Sequence, residues 1–268
     1  MIEGFARSRL GFGVSGPHGL PILNRARTAD LLARAHAAGI RVFDTAPSYG
    51  HGEAERRLGR ALDAHPDIVP VTKVGLVSAR GRRKRVEVAP DGVEASLRAS
   101  AERLGVEHLP WILLHGSAFA DFPRRTGARL GELQRAGLVG RIGWTARGEA
   151  LARLPSLPEV ALIAAPVSDL DAAASHGVPL IGLEALRAAL PARPLPTSIG
   201  RAYRAARSLR AGRSDAPRTC VRKALTRALS DPRLMGVMVT TTSPDHLDEL
   251  VAIERSVPRL NPADPHPS

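Results

Sequence analysis

The chain has 268 residues, 44% of them hydrophobic, and a formal net charge of +12 from 38 basic and 26 acidic side chains. That size and apolar content suit one sizeable core, and the single cysteine, Cys220, excludes intrachain disulfides and a cysteine-built metal centre. With no apolar leader and no apolar run of membrane-spanning length, the expectation is a cytoplasmic protein without a membrane partner.

Strand and helix patterns alternate from end to end. Ser8–Val14 reads as a first strand, ending in Gly11-Phe12-Gly13. Thr28–Ala38 follows as an amphipathic helix, with Leu31, Leu32 and Ala35 on one face and Gly39 as its stop. Arg41–Asp44 is the second strand, Glu53–Ala64 the second helix, Ile68–Val74 the third strand and Asp91–Leu104 the third helix. Leu109–His115 is the fourth strand, Leu130–Ala136 the fourth helix and Gly140–Thr145 the fifth strand. Val160–Ala165, Pro179–Leu183 and Met235–Thr241 read as strands six to eight. Helices at Gly148–Leu154, Asp169–Ala174, Thr219–Leu229 and Pro244–Glu254 complete the alternation. Eight strand–helix units predict an α/β protein, a single (β/α)8 TIM-type barrel over residues 1–260 with its site at the C-terminal strand ends. Residues 261–268 form a Pro-rich tail. A doubly wound open sheet is disfavoured because no glycine-rich dinucleotide fingerprint follows the first strand.

The chemistry gathers at those strand ends. The second strand runs into Asp44-Thr45-Ala46-Pro47-Ser48-Tyr49-Gly50, which puts an acid at the strand end and a phenol in the next loop. The chain has only two tyrosines, so one placed here stands out. The third strand ends Val71-Thr72-Lys73-Val74-Gly75 and the fourth Leu113-Leu114-His115-Gly116, adding an amine and an imidazole at the same level. A lysine after an apolar strand is costly to bury without a partner. A phenol titrates near about 10, and a neighbouring ammonium stabilises its anion and brings it towards the working range. That ammonium in turn needs a carboxylate to stay charged in a closed pocket.

The chain resembles the aldo-keto reductase superfamily. The likeness runs from Gly11-Phe12-Gly13 through Asp44, Tyr49, Lys73 and His115, and resumes at Thr240-Thr241-Thr242-Ser243-Pro244-Asp245-His246-Leu247. It implies a (β/α) barrel that uses NADPH, with NADH as the alternative cofactor, to reduce an aldehyde or ketone or to oxidise the alcohol. On that resemblance Tyr49 is the general acid, Lys73 tunes it, Asp44 pairs with Lys73 and His115 orients the carbonyl. Trp144, Thr145, Thr240, Thr241, Thr242, Ser243, His246, Glu249, Arg201 and Arg204 are the implied cofactor contacts, with Trp144 either offering a flat surface to the ring or belonging to the core.

Two departures weaken the nicotinamide end. Ala146 stands where the family has an asparagine, and Leu162-Ile163-Ala164-Ala165 carries no glutamine. Leu250 likewise replaces an asparagine that serves adenine. Thr241, Thr242 and Ser243 still open a helix whose N-terminus favours anions. The expectation is a cofactor bound more weakly than in typical relatives.

Two arginine-rich groups fall on the site side: Arg80, Arg82, Arg83, Lys84 and Arg85, and then Arg201, Arg204, Arg207 and Arg210. They read either as solvated surface in an arginine-rich protein or as a collar for cofactor phosphate, an anionic substrate or an acidic carrier protein. With aromatics at 3%, base stacking is poorly provided for, which argues against nucleic acid. Two alternatives to redox chemistry stand: a non-redox acid–base enzyme (lyase, dehydratase, isomerase or cyclase) using Tyr49 and Lys73, and a low-turnover binding or sensor subunit.

Overall fold

Short apolar runs bounded by polar residues or glycine form the strands of this protein. The computed structural model describes residues 3–79, 84–115, 124–155, 157, 160–187 and 218–259. The strands are β1 (Leu10–Gly13), β2 (Val42–Asp44), β3 (Val69–Val74), β4 (Leu76–Ser78), β5 (Lys84–Val86), β6 (Leu109–His115), β7 (Val139–Thr145), β8 (Val160–Pro166), β9 (Leu180–Leu183) and β10 (Leu234–Val239). The helices are α1 (Arg25–Ala37), α2 (Glu53–Ala64), α3 (Pro90–Leu104), α4 (Arg124–Arg135), α5 (Glu149–Ala152), α6 (Leu170–Ala174), α7 (Arg218–Leu229) and α8 (Pro244–Ser256). Among the described residues, β1, β2, β3, β6, β7, β8, β9 and β10 close into one parallel barrel, with β10 pairing back onto β1. β4 and β5 form a separate antiparallel hairpin. No helix of the described residues is long and apolar enough to cross a membrane.

Alternation along the strands sorts the core into two layers. Val42, Val71, Trp111, Leu113, Leu162, Ala164 and Ile181 form a small cluster within the barrel. Phe5, before β1, closes its lower end with its ring 6.1 Å from that of Trp111. The opposite parity supplies Phe12, Phe43, Ile112, Leu114, Trp144 and Ile163 to a larger cluster shared with Leu31, Leu58, Leu97 and Leu133 of the helices. Fully burying such a side chain contributes about 1.5–3 kcal/mol, so this layer holds the helices to the barrel.

Several element bounds move for local reasons. α1 starts at Arg25, earlier than the expected Thr28, because the Asn24 side chain accepts the Arg27 amide at 2.7 Å and caps the helix. α4 begins at Arg124, not Leu130, because its polar first turns hide the helical period. The expected helix at Gly148–Leu154 shrinks to the four residues of α5. The hairpin β4–β5 falls where the basic run was read as loop. Of that run, Arg80, Arg82 and Arg83 lie outside the described residues, as do Arg201, Arg204, Arg207, Arg210 and the tail at 261–268.

Candidate active site

The barrel-facing parity carries the polar residues up to the mouth. Asp44 continues the Val42 face of β2, Lys73 the Val71 face of β3, His115 the Leu113 face of β6 and Thr145 the Gly143 face of β7. Asp44 is level with Val71, Lys73 with Leu113, and His115 with Thr145. Three different strands thus end in an acid, an amine and an imidazole around one opening.

Tyr49 comes from the loop that follows β2. Its amide donates to the Ala46 carbonyl at 3.0 Å, which closes a turn just past the strand. Gly50, His51 and Gly52 then take left-handed φ values of 60°, 54° and 81° before α2 begins. At Gly50 a Cβ would lie 1.7 Å from the Gly19 carbonyl oxygen. The two loops therefore meet backbone against backbone, and only glycine fits both the contact and the dihedral. This contact fixes the approach of the Tyr49 loop to the mouth.

Lys73 is the centre of the constellation. Its Nζ donates to Asp44 Oδ1 and, at 2.9 Å, to the Thr45 carbonyl. The same nitrogen lies 5.0 Å from the centroid of the Tyr49 ring. Burial pulls the Lys73 pKa down, but the Asp44 charge and the adjoining Tyr49 outweigh it and hold the ammonium above the usual lysine range. Burial pushes the Asp44 carboxyl up against the opposing pull of Lys73. With the ammonium donating directly to the carboxylate, the pair is ionised, and each partner offsets the desolvation of the other.

His115 is half-buried. Burial first, then the charges of Lys73, Lys84 and Arg147, push its pKa down to about 4. At neutral pH the ring is therefore an uncharged imidazole, which has one N–H to donate and one nitrogen to accept.

Residues absent from the sequence reading brace this arrangement from outside the barrel. Thr72, of opposite parity to Lys73, donates its hydroxyl to Glu55 Oε1 at 2.6 Å, and Arg103 Nε donates to Glu55 Oε2 at 2.6 Å. Fully buried Glu55 so ties α2 to β3 and α3. Arg103 is remote in the chain, so only an acid in the first turn of α2, next to the Tyr49 loop, could have signalled the link.

The cofactor contacts expected from the sequence divide. Trp144 needs correction: it is 2% exposed and belongs to the layer between barrel and helices, because its neighbour Thr145 takes the barrel-facing parity. It has no face to offer a ring at the mouth. Thr145 is buried at the level of His115. Thr240 is exposed beside Ser15, with the two hydroxyl oxygens 3.5 Å apart. The Thr241 hydroxyl accepts the Ser243 amide at 3.1 Å and Thr242 is half-buried. His246 and Glu249 lie three residues apart on the first two turns of α8 and share a face. Arg201 and Arg204 lie outside the described residues.

The donor set at α8 fits a phosphate. Ser243 occupies the N-cap with φ −118° and ψ 128°, yet its side chain makes no capping hydrogen bond, so the first-turn amides are not taken up by it. The nicotinamide end fits less well, since Ala146 is apolar and buried where an asparagine was expected, and Leu162-Ile163-Ala164-Ala165, all buried, carries no amide side chain.

A cavity of about 440 Å³ lies at the other end of the barrel, lined by Arg7, Arg9, Glu254, Arg255 and Arg259 among others. Arg9 donates to the carbonyls of Leu229 and Leu234, and Arg259 to those of Ala6 and Arg7. These guanidiniums clamp chain ends together, and the acid–base groups all sit at the opposite mouth.

The model of the aldo/keto reductase family matches residues 9–258. Among curated proteins, an NADH-specific methylglyoxal reductase of Escherichia coli is 30% identical over 154 residues, 51% of this chain and 47% of that protein. A D-threo-aldose 1-dehydrogenase of a Pseudomonas species is 29% identical over 168 residues, 52% of this chain and 50% of that protein. The chain thus spans about half the length of the curated relatives it matches. Among solved structures, an aldo-keto reductase of Bacillus halodurans in its holo form superposes with a TM-score of 0.71 at 23% identity, over 94% of this chain and 88% of that one. One from Klebsiella pneumoniae in complex with NADPH superposes with a TM-score of 0.66 at 18% identity, over 94% and 87%. These likenesses establish the shared barrel, and the match over nearly the whole sequence establishes the lineage: the chain belongs to the aldo/keto reductase family.

Proposed function

We propose that this protein is a nicotinamide-dependent oxidoreductase that reduces an aldehyde or ketone, or oxidises the corresponding alcohol. The observation that carries the reading is the position of Lys73 Nζ, bonded to Asp44 and the Thr45 carbonyl and 5.0 Å from the Tyr49 ring centre. A phenol beside an ammonium held in its charged form is a proton donor whose anion is stabilised as it forms. A bound dihydronicotinamide supplies the hydride that this chemistry needs. Tyr49 gives its proton to the carbonyl oxygen, and Lys73 stabilises the resulting phenolate. Asp44 keeps Lys73 charged. The neutral His115 donates a hydrogen bond to the same oxygen and sets its direction.

The cofactor assignment is NADPH. Thr241, Thr242, Ser243 and the α8 N-terminus supply hydroxyls and amides for phosphate, with His246 and Glu249 on the adjoining helix face, Thr240 beside them and Thr145 towards the ring. The Klebsiella relative solved with NADPH supports this choice, whereas the Escherichia coli relative, NADH-specific by name, speaks for NADH. The hydroxyls and amides at α8 could also take a 2′-phosphate, which supports NADPH. Fluorescence titration with both cofactors, followed by a screen of aldehydes and ketones for loss of NADPH absorbance, is the test. No binding at millimolar concentration of either cofactor would sink the reading and favour non-redox acid–base chemistry on the same residues.

A further inference from the structure

We infer that the barrel mouth takes a carbonyl substrate that carries its own anionic group, held between Lys84 on one flank of His115 and Arg147 on the other. The inference rests on the reductase reading above and names its substrate class.

The register places both cations. Lys73 is level with Leu113 and Val74 with Leu114, so the next residue, Gly75, comes level with His115 on the β3 side. From Gly75 the chain passes straight into the hairpin β4–β5, and the Glu87 amide returns to the Gly75 carbonyl at 2.9 Å. The hairpin therefore rises from the rim beside His115. Lys84 is exposed on it opposite Ser78, and among the described residues no carboxylate pairs with it, whereas its neighbour Arg85 pairs with Glu87 at 2.6 Å. Val86, 52% exposed, shares the Lys84 side of the strand and sets an apolar surface next to the ammonium.

On the β7 side, Thr145 is level with His115 and Arg147 follows two residues on. Arg147 Nη2 lies 2.8 Å from Glu184 Oε1, while Arg187 takes Oε2 of the same carboxylate at 2.5 Å. One carboxylate between two guanidiniums leaves a positive charge over. Glu184 holds this clamp from a left-handed backbone, φ 55°, that side chains other than glycine rarely adopt. Lys73 is matched by Asp44, so among the described residues the excess around the imidazole comes from Lys84 and the arginine clamp. Among the described residues, the charges that act on His115, those of Lys73, Lys84 and Arg147, are all positive. A neutral carbonyl leaves that field unanswered. An organic anion answers it with its charge and lays its hydrocarbon body on Val86.

The test uses the full chain with NADPH and three substrates of one shape: 4-carboxybenzaldehyde, 4-formylphenyl phosphate and the neutral methyl 4-formylbenzoate. Either anion should exceed the ester in kcat/KM by about tenfold at low salt, and the advantage should collapse in roughly 0.5 M NaCl. Lys84→Glu should cut the anion-to-ester ratio roughly tenfold, mostly through KM, and Arg147→Gln by roughly two- to fivefold. Equal kcat/KM for all three substrates, or a preference that survives Lys84→Glu, overturns the inference. Turnover of the ester without an anion preference removes this inference alone. No turnover of any of the three, with NADPH or NADH, removes the reductase reading on which it stands.

Discussion

The Lys73 ammonium lies 5.0 Å from the centre of the Tyr49 ring, close enough for its charge to act on the phenol while its hydrogen bonds go to Asp44 and Thr45. Proton donor and charge stabiliser are therefore separate groups, and substitution can separate them. Tyr49→Phe should lower kcat by about 10²–10⁴-fold, the usual contribution of general acid catalysis. NADPH affinity should stay within about twofold, because only a hydroxyl is lost. Steady-state rates beside a fluorescence titration make the comparison, and full activity in Tyr49→Phe would assign the proton to another group.

The Asp44–Lys73 pair predicts a stability effect with a sign. Asp44→Asn leaves a buried ammonium without its carboxylate, which should cost about 3–5 kcal/mol. Adding Lys73→Met removes the stranded charge, so the double variant should be more stable than Asp44→Asn alone. Urea unfolding of the wild type, both single variants and the double variant closes the cycle. Strictly additive losses would mean the two groups do not depend on each other.

Gly50 predicts a link between loop geometry and catalysis. Gly50→Ala forces a Cβ into the 1.7 Å gap before the Gly19 carbonyl and places a side chain at φ 60°. The dihedral and the overpacking each cost about 1–3 kcal/mol, so one of the two loops must move. Activity should fall at least about tenfold even at temperatures where the protein stays folded. An unchanged kcat in the folded variant would detach the Tyr49 loop from this contact.

The barrel was legible because its strands are apolar runs of the right length, and Asp44, Lys73 and His115 each end one of them. Tyr49 was legible from the Pro- and Gly-bounded loop around it. The hairpin β4–β5 was not, because its three residue pairs include the basic Lys84 and Arg85 and it depends on its place beside β3. Trp144 was left open between a ring surface and the core, and the strand period of two, with Thr145 facing the barrel, assigns it to the core. Glu55 escaped notice because its partner Arg103 meets it only after α2 and α3 have packed.

Ala146 predicts a gain of function. It is buried at the end of β7, next to Thr145, where a side-chain amide is the expected cofactor contact. One restored hydrogen bond is worth about 0.5–1.5 kcal/mol, so Ala146→Asn should tighten NADPH binding by roughly two- to tenfold. Calorimetric titration of both proteins decides it. Weaker binding in Ala146→Asn would show that the ring lies away from this position.

His18 predicts an acid-sensitive hinge between the β1–α1 loop and the α8 segment. It is fully buried, and its Nε2 lies 2.9 Å from the Thr241 carbonyl oxygen, which only accepts, so the proton is on Nε2. Nδ1 is then a buried acceptor with no partner among the described residues. Burial, and to a lesser degree the Arg57 charge, push the His18 pKa down to about 4, against the opposing effect of the Thr241 bond. Between that value and the ordinary 6.5 the unfolded chain binds more protons than the folded one. Stability from this residue is therefore complete above about pH 6.5 and falls as the pH drops towards 4, at about 1.4 kcal/mol per unit. His18→Gln keeps an N–H for Thr241 but cannot titrate. Its stability should fall less steeply than that of the wild type across this window, by about 1 kcal/mol per unit, while His115 titrates alike in both and cancels. Because Thr241 leads into the Ser243 cap, NADPH affinity should weaken along with stability in the wild type and hold better in the variant. Urea midpoints taken between pH 4 and pH 7.5 are the measurement, as set by roughly the window of the two protonation states. Parallel curves for the two proteins would place the acid sensitivity elsewhere in the fold.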